Sequence, residues 1–160
     1  MVPAAAVDPR SMERSMLTVE DVMTTNVMTL STKDSIGHAD ADMKLGNIRH
    51  IPIVDEKAHL VGIISNRDVF RALGISKRGK VIPVWEIMKR DVVTVRPATP
   101  AHVAVELMLE KKIGALPVIS EGEQLIGIVT ETDFLAIAHE ALLREAKAAG
   151  KTAPGPSRSS

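Results

Sequence analysis

The chain of 160 residues has no cysteine and no tyrosine, and carries only two phenylalanines and one tryptophan. Without cysteine there can be no disulfide and no thiolate metal site. That agrees with a reducing compartment, and a cytoplasmic location is the expectation. The scarcity of aromatic rings leaves little on which bases could stack, and a formal net charge of zero supplies no basic footprint. Lys77, Arg78 and Lys80, like Lys111 and Lys112, read as solvated linker and helix surface, so no nucleic-acid partner is expected. No apolar run approaches the roughly 18–20 residues that span a bilayer, and the opening VPAAAV is too short, and too poor in charge, for a secretory leader. No membrane association is expected. Hydrophobic residues at 45% and charged residues at 25% are the proportions of an ordinary globular chain. Its length suits one compact domain, or two small halves that share a core.

What the chain does contain is a phrase written twice. Residues 62–70 read GIISNRDVF and residues 127–135 read GIVTETDFL, with Gly127 lying 65 positions after Gly62. Laying 21–72 over 86–137 without a gap pairs Met23 with Met88, Val27 with Val92, Thr29 with Thr94, Ala39 with Ala104 and Met43 with Met108. The register holds through Ile48 and Ile113, Pro52 and Pro117, Leu60 and Leu125, Ile63 and Ile128, and Asp68 and Asp133. Two unrelated βα segments would share an apolar pattern but would not keep one offset across two turns, so the chain is read as an internal duplication.

Within each copy the predicted elements follow one order. A short helix, 18–23 or 84–88, leads to a strand, 27–30 or 92–95. A polar turn then opens a longer helix over 36–48 or 101–113, where apolar and small residues recur at helical spacing. Pro52 and Pro117 fall one residue into the strands 51–54 and 116–119, as at a strand start or an edge. The strands LVGIIS and LIGIVT are apolar on consecutive residues, which predicts sheets covered on both faces. Each copy is therefore β-α-β-β-α, of mixed α/β (α+β) class, with a sheet of three strands. One such unit buries too little alone, and two can cover each other. Residues 1–16 read as a loose arm, 17–74 as the first repeat, 75–81 as a connector and 82–140 as the second repeat. Strong helix formers carry a terminal helix through 141–150 to Gly150, and the Pro-, Gly- and Ser-rich 151–160 reads as a disordered tail.

The repeated phrase ends its strand on a hydroxyl, Ser65 or Thr130, with an aspartate three residues on, Asp68 or Asp133. Taken alone this is a capping box, which satisfies orphan N–H groups at a helix start. The same geometry also suits a ligand: free N–H groups and a hydroxyl favour phosphate, and a carboxylate one turn away can accept from a ribose diol. Gly62 and Gly127 leave room for close approach of backbone or ligand.

The phrases RHIPIV…LVGIISNRD and ALPVI…LIGIVTETD, in this order and twice over, resemble the cystathionine β-synthase (CBS) domain, and the tandem resembles the CBS pair called the Bateman module. The resemblance covers about 17–74 and 82–140. It implies two repeats packed as a pseudo-two-fold pair, with clefts between them that bind adenosine-containing ligands such as AMP, ADP, ATP or S-adenosylmethionine. It assigns phosphate contacts to Ser65 and Thr130 and ribose contacts to Asp68 and Asp133. It places Ile51, Pro52, Leu116, Pro117, Val27 and Val92 around the base. Because phosphates in that family meet basic residues near this position, Arg49 and His50, where the second copy has Gly114 and Ala115, imply unequal sites; the alternative reading of the pair is a solvated helix end. It further implies a homodimer, a flat disc of four repeats, and an output passed to a separate protein partner.

His38, Asp40 and Asp42 invite a metal reading, but helix residues two apart do not share a face, and no metal is expected. No nucleophile elbow, Walker loop or metalloprotease helix is present, and His102 and His139 lack a matched acid. The expectation is a sensor without catalytic activity or catalytic cofactor. The competing expectation is a ligand-independent structural or dimerisation module whose S/T-x-x-D motifs are only helix caps.

Overall fold

The computed structural model describes residues 16–150 and Gly155; the loose arm expected for 1–16, Met16 apart, and the tail expected for 151–160, Gly155 apart, lie outside the described residues. The elements run α1 (Val19–Val22), α2 (Ile36–Gly46), β1 (His50–Val54), β2 (Leu60–Ser65), α3 (Asn66–Ile75), a 3-10 turn (Val84–Glu86), α4 (Ala101–Lys111), β3 (Ala115–Ile119), β4 (Leu125–Thr130) and α5 (Glu131–Ala148). Strands β1 and β2 form one antiparallel hairpin and β3 and β4 the other. Their registers match across the 65-residue offset, Pro52 facing Ile63 and Pro117 facing Ile128.

The strands expected over 27–30 and 92–95 shrink to single bridges, Leu30 to Ile53 and Val95 to Val118. The prolines give the reason. Leu30 N–H donates to Pro52 O and Val54 N–H donates to Leu30 O, and the same pair of bonds joins Val95 to Pro117 and Ile119. The next rung of that parallel ladder would need an N–H from residue 52 or 117, and proline has none. The neighbouring segment therefore detaches after one residue.

The other edge of each hairpin is closed by the opposite repeat. Ile63 and Lys89 exchange backbone hydrogen bonds at 2.9 Å in both directions, and Thr24 and Ile128 do so at 2.9 and 3.0 Å. The lead-in 82–88 of the second repeat thus packs in the core of the first, where Ile82, Val84, Ile87 and Met88 join Ile51, Ile53, Ile64 and Val69. Reciprocally, Val19, Val22 and Met23 join Val95, Leu116, Val118 and Val129. This mutual exchange is what a pseudo-two-fold requires, and it makes each core depend on both repeats.

Gly62 and Gly127 are small because of this exchange. A Cβ on Gly62 would stand 2.7 Å from Met88 Sδ and 3.1 Å from Lys89 O, and one on Gly127 would stand 2.6 Å from Met23 Sδ and 3.2 Å from Thr24 O. The close approach is by backbone and methionine of the opposite repeat. Helices α2 and α4 stop earlier than the apolar pattern reached, at C-caps Asn47 and Lys112 in the left-handed conformation (φ 49° and 53°), which swing the chain from helix into β1 and β3.

Candidate functional site

Ser65 and Thr130 end β2 and β4 and are the N-caps of α3 and α5. In the first copy the Asp68 carboxylate accepts from the Ser65 N–H at 3.1 Å and from its hydroxyl at 2.6 Å, while Ser65 Oγ accepts from the Asp68 N–H at 3.2 Å. In the second, Asp133 accepts from the Thr130 N–H at 2.7 Å and its hydroxyl at 3.1 Å. Both capping boxes expected from the sequence are formed. So are related bonds elsewhere: Thr18 N–H and hydroxyl donate to Asp21 at 2.8 and 3.0 Å, and Ser31 N–H donates to Asp34 at 2.7 Å. A hydroxyl with an acid three residues on is thus first a local backbone device, and context separates the copies.

The context is a cleft of about 730 Å3 between the repeats, lined by Ser65, Asp68, Thr130 and Asp133 together. That volume is in the usual range for small-molecule sites, roughly 300–1,000 Å3. Val27, Val92, Arg49 and His50 also line it. Ile51, Pro52, Leu116 and Pro117 do not: all four are fully buried beneath it, because consecutive β1 and β3 residues are covered on both faces and only the strand starts reach the opening. Sequence reasoning missed other lining residues, among them Thr24, Lys89, Lys112, Arg67 and Glu131. Thr24 and Lys89 sit at matched positions after Met23 and Met88, a signal present in the offset; that they face the opposite repeat's motif follows only from the exchange.

Electrostatically the two ends of the cleft differ. His50 is largely buried, and burial, with Arg49 beside it, pushes its imidazole below the ordinary value of 6.5 against the opposing pull of Glu131 and Asp68. Its Cε1 and Glu131 Oε2 both lie 3.2 Å from where a Cβ on Gly114 would stand. Gly114, in place of Arg49, gives these two side chains their room.

Among the described residues no group of three or more His, Asp or Glu side chains is placed to hold a metal ion. His38 instead lies between two carboxylates one turn either way, Nδ1 3.3 Å from Asp34 and Nε2 3.5 Å from Asp42, while Asp40 pairs with Lys44 at 2.6 Å. Among the described residues no helix is long and apolar enough to cross a membrane.

Paired hairpins that exchange lead-ins and place two S/T-x-x-D caps in one cleft define a class, and the comparisons agree with it. The CBS domain family model matches residues 19–75 and 84–140, and the chain belongs to that family. The chain is similar to the CBS domain pair of protein MJ0100 in complex with 5′-methylthioadenosine and S-adenosyl-L-methionine, with 33% identity, a TM-score of 0.70, and coverage of 79% of this chain and 98% of that one. It is also similar to CBSX2 in complex with AMP, with 27% identity, a TM-score of 0.70 and coverage of 78% and 98%. A curated relative, homoserine O-acetyltransferase of Methanohalobium evestigatum, is 34% identical over 122 residues, 76% of this chain and 24% of the relative. The chain spans about a quarter of the length of such curated relatives.

Proposed function

We propose that the chain is a non-catalytic sensor module in which an adenosine-containing ligand (AMP, ADP, ATP or S-adenosylmethionine) binds the inter-repeat cleft and a separate protein partner reads the result. The observation that carries this reading is the convergence of both S/T-x-x-D caps on one cleft, supported by the adenosine ligands of the similar CBS pairs. Asp68 and Asp133 would take ribose hydroxyls, Ser65 and Thr130 with the N–H groups of α3 and α5 the 5′ substituent, and Val27 and Val92 the base. Because each core contains the other repeat's lead-in, a ligand bridging the repeats can bias their relative arrangement, provided that it binds one arrangement better than the other. Isothermal titration with AMP, ATP and S-adenosylmethionine, with GMP as control, tests the reading. Adenine-selective binding in the micromolar range or tighter supports it; heat from none of them, in protein shown free of bound nucleotide, rejects it.

A second reading, a ligand-independent dimerisation module, has its own support. The Thr18–Asp21 cap stands outside the cleft, and α3 and α5 leave Phe70, Ile75, Leu135 and Leu142 exposed, a density of apolar side chains that marks interaction surfaces. Phe70 and Leu135 occupy matched positions. A homodimer joined through α3 and α5 fits either reading. Light scattering at high concentration should report a dimer that Phe70→Glu dissociates; a wild-type monomer rejects the dimer without touching the ligand reading.

A further inference from the structure

We infer that the two ends of the cleft select adenosine ligands of different charge: the Ser65–Asp68 end takes a phosphorylated adenosine, and the Thr130–Asp133 end takes an adenosine whose 5′ substituent carries no negative charge. The inference rests on the adenosine reading above and assigns a ligand class to each half.

The duplication makes the comparison position by position. Around Ser65 and Asp68 the cleft carries Arg49 and Arg67 from the first repeat and Lys89 from the exchanged lead-in, which bridges Ile63 on β2. At the matched places around Thr130 and Asp133 stand Gly114, Thr132 and Thr24. Every cation of the first end is thus replaced by an uncharged residue at the second. The reverse holds for the first residue of the following helix: Asn66 opens α3, but Glu131 opens α5.

The backbone at these residues is the same. Asn66 N–H donates to Arg49 O at 2.8 Å, and Glu131 N–H donates to Gly114 O at 3.1 Å, so the contrast lies in the side chains alone. The Glu131 carboxylate folds over Gly114 toward His50, into the region where the 5′ group of a nucleoside held by Asp133 would run beside the α5 N-terminus. A helix N-terminus ordinarily favours an anion. A full negative charge on its first residue opposes that preference, and Lys112, two residues before Gly114, is the remaining lysine among the cleft residues, Lys89 apart. An uncharged or sulfonium-bearing 5′ group meets no such repulsion there, whereas a 5′ phosphate does. At the first end Arg49, Arg67 and Lys89 line the cleft and, reaching the ligand, would reward phosphate.

The test is calorimetric titration of the full chain with AMP and with 5′-methylthioadenosine, singly and each in the presence of the other, on wild type and on Glu131→Gln, whose folding is checked by thermal unfolding. The expected wild-type result is one site for each ligand, with neither displacing the other. Glu131→Gln should strengthen AMP at the second end by roughly five- to tenfold, the effect of removing one like charge at several ångströms in a partly solvated site, and leave 5′-methylthioadenosine within about twofold. Arg67→Gln should weaken AMP at the first end alone. Two equal AMP sites in wild type that Glu131→Gln does not change, or full competition of the two ligands for one site, overturn the inference while leaving the adenosine reading standing. Binding of neither ligand overturns both.

Discussion

The exchange of lead-ins makes Gly127 a position where a single methyl group should separate the two repeats' cores. A Cβ there would lie 2.6 Å from Met23 Sδ, 3.2 Å from Met23 Cγ and 3.2 Å from Thr24 O. Non-bonded heavy atoms rest at roughly 3.5–4.0 Å. The thioether must therefore retreat by about 1 Å, and Met23 packs against the buried cluster of Val19, Leu116 and Val129. The carbonyl can retreat less, since it accepts from Ile128 N–H at 3.0 Å in the bridge that closes the sheet. Overpacking of this kind costs about 1–3 kcal/mol, or a Tm lower by roughly 3–10 °C for a chain of this size. The assay is urea or thermal unfolding of Gly127→Ala, with Gly74→Ala as control, because Gly74 lies in α3 with nothing within 4 Å of its added Cβ and should gain about 0.5–1 kcal/mol. Met23→Ala in the Gly127→Ala background should cost less than Met23→Ala alone, a coupling that a double-mutant cycle reads directly. Equal, harmless behaviour of Gly127→Ala and Gly74→Ala would refute the exchanged packing.

Leu116 and Ile51 are fully buried under the cleft, so Leu116→Ala should cost about 2–5 kcal/mol in denaturant unfolding; ligand affinity, measured where the variant stays folded, should change less than for a lining residue such as Asp133. Ser65→Ala removes a cap whose hydroxyl bonds are formed and should cost about 1 kcal/mol without ligand, and more in the presence of AMP, because the 5′ substituent also loses a partner. For His50 the sign follows from its lowered value: the folded protein favours the neutral ring, so the unfolded chain takes up the proton first as pH falls. The stability it lends is complete above about pH 6.5 and is lost as the pH drops below that value. Urea midpoints at about pH 8 and about pH 5.5 should fall further for wild type than for His50→Gln; an equal fall in both would remove the burial argument.

The order of elements, the duplication and the two caps were legible because each rests on local chemistry: apolar periodicity, a proline one residue into a strand, a hydroxyl with an acid three residues on. The short first strands were not. Apolar content at 27–30 and 92–95 resembles a strand, and their detachment depends on which edge of β1 and β3 the nitrogens of Pro52 and Pro117 face, a matter of register between segments over 20 residues apart. The buried positions of Ile51, Pro52, Leu116 and Pro117 escaped for a similar reason, since a strand covered on both faces hides which of its residues opens to the cleft. Gly62 and Gly127 were recognised as places of close approach, but the approaching group, Met88 or Met23 from the other repeat, could be known only from the exchange. Lys89 and Glu131 carry no signal in the sequence, since a lone charge next to a core methionine or at a helix start has an ordinary explanation; their weight appears when both stand in one cleft beside their unlike counterparts Thr24 and Asn66.

The central claim, that the cleft joining the two caps is an adenosine site, is tested most directly by thermal unfolding with and without AMP, S-adenosylmethionine and GMP on wild type and Asp133→Asn. A ligand at 100 times its Kd adds about 2.7 kcal/mol, a rise in Tm of roughly 5–10 °C for a chain this long. The account predicts such a rise with at least one adenine ligand, none with GMP, and a smaller rise with S-adenosylmethionine in Asp133→Asn at equal ligand concentration. No rise with any adenine ligand, or the same rise with GMP and in Asp133→Asn, would contradict it and leave Ser65–Asp68 and Thr130–Asp133 as caps of α3 and α5.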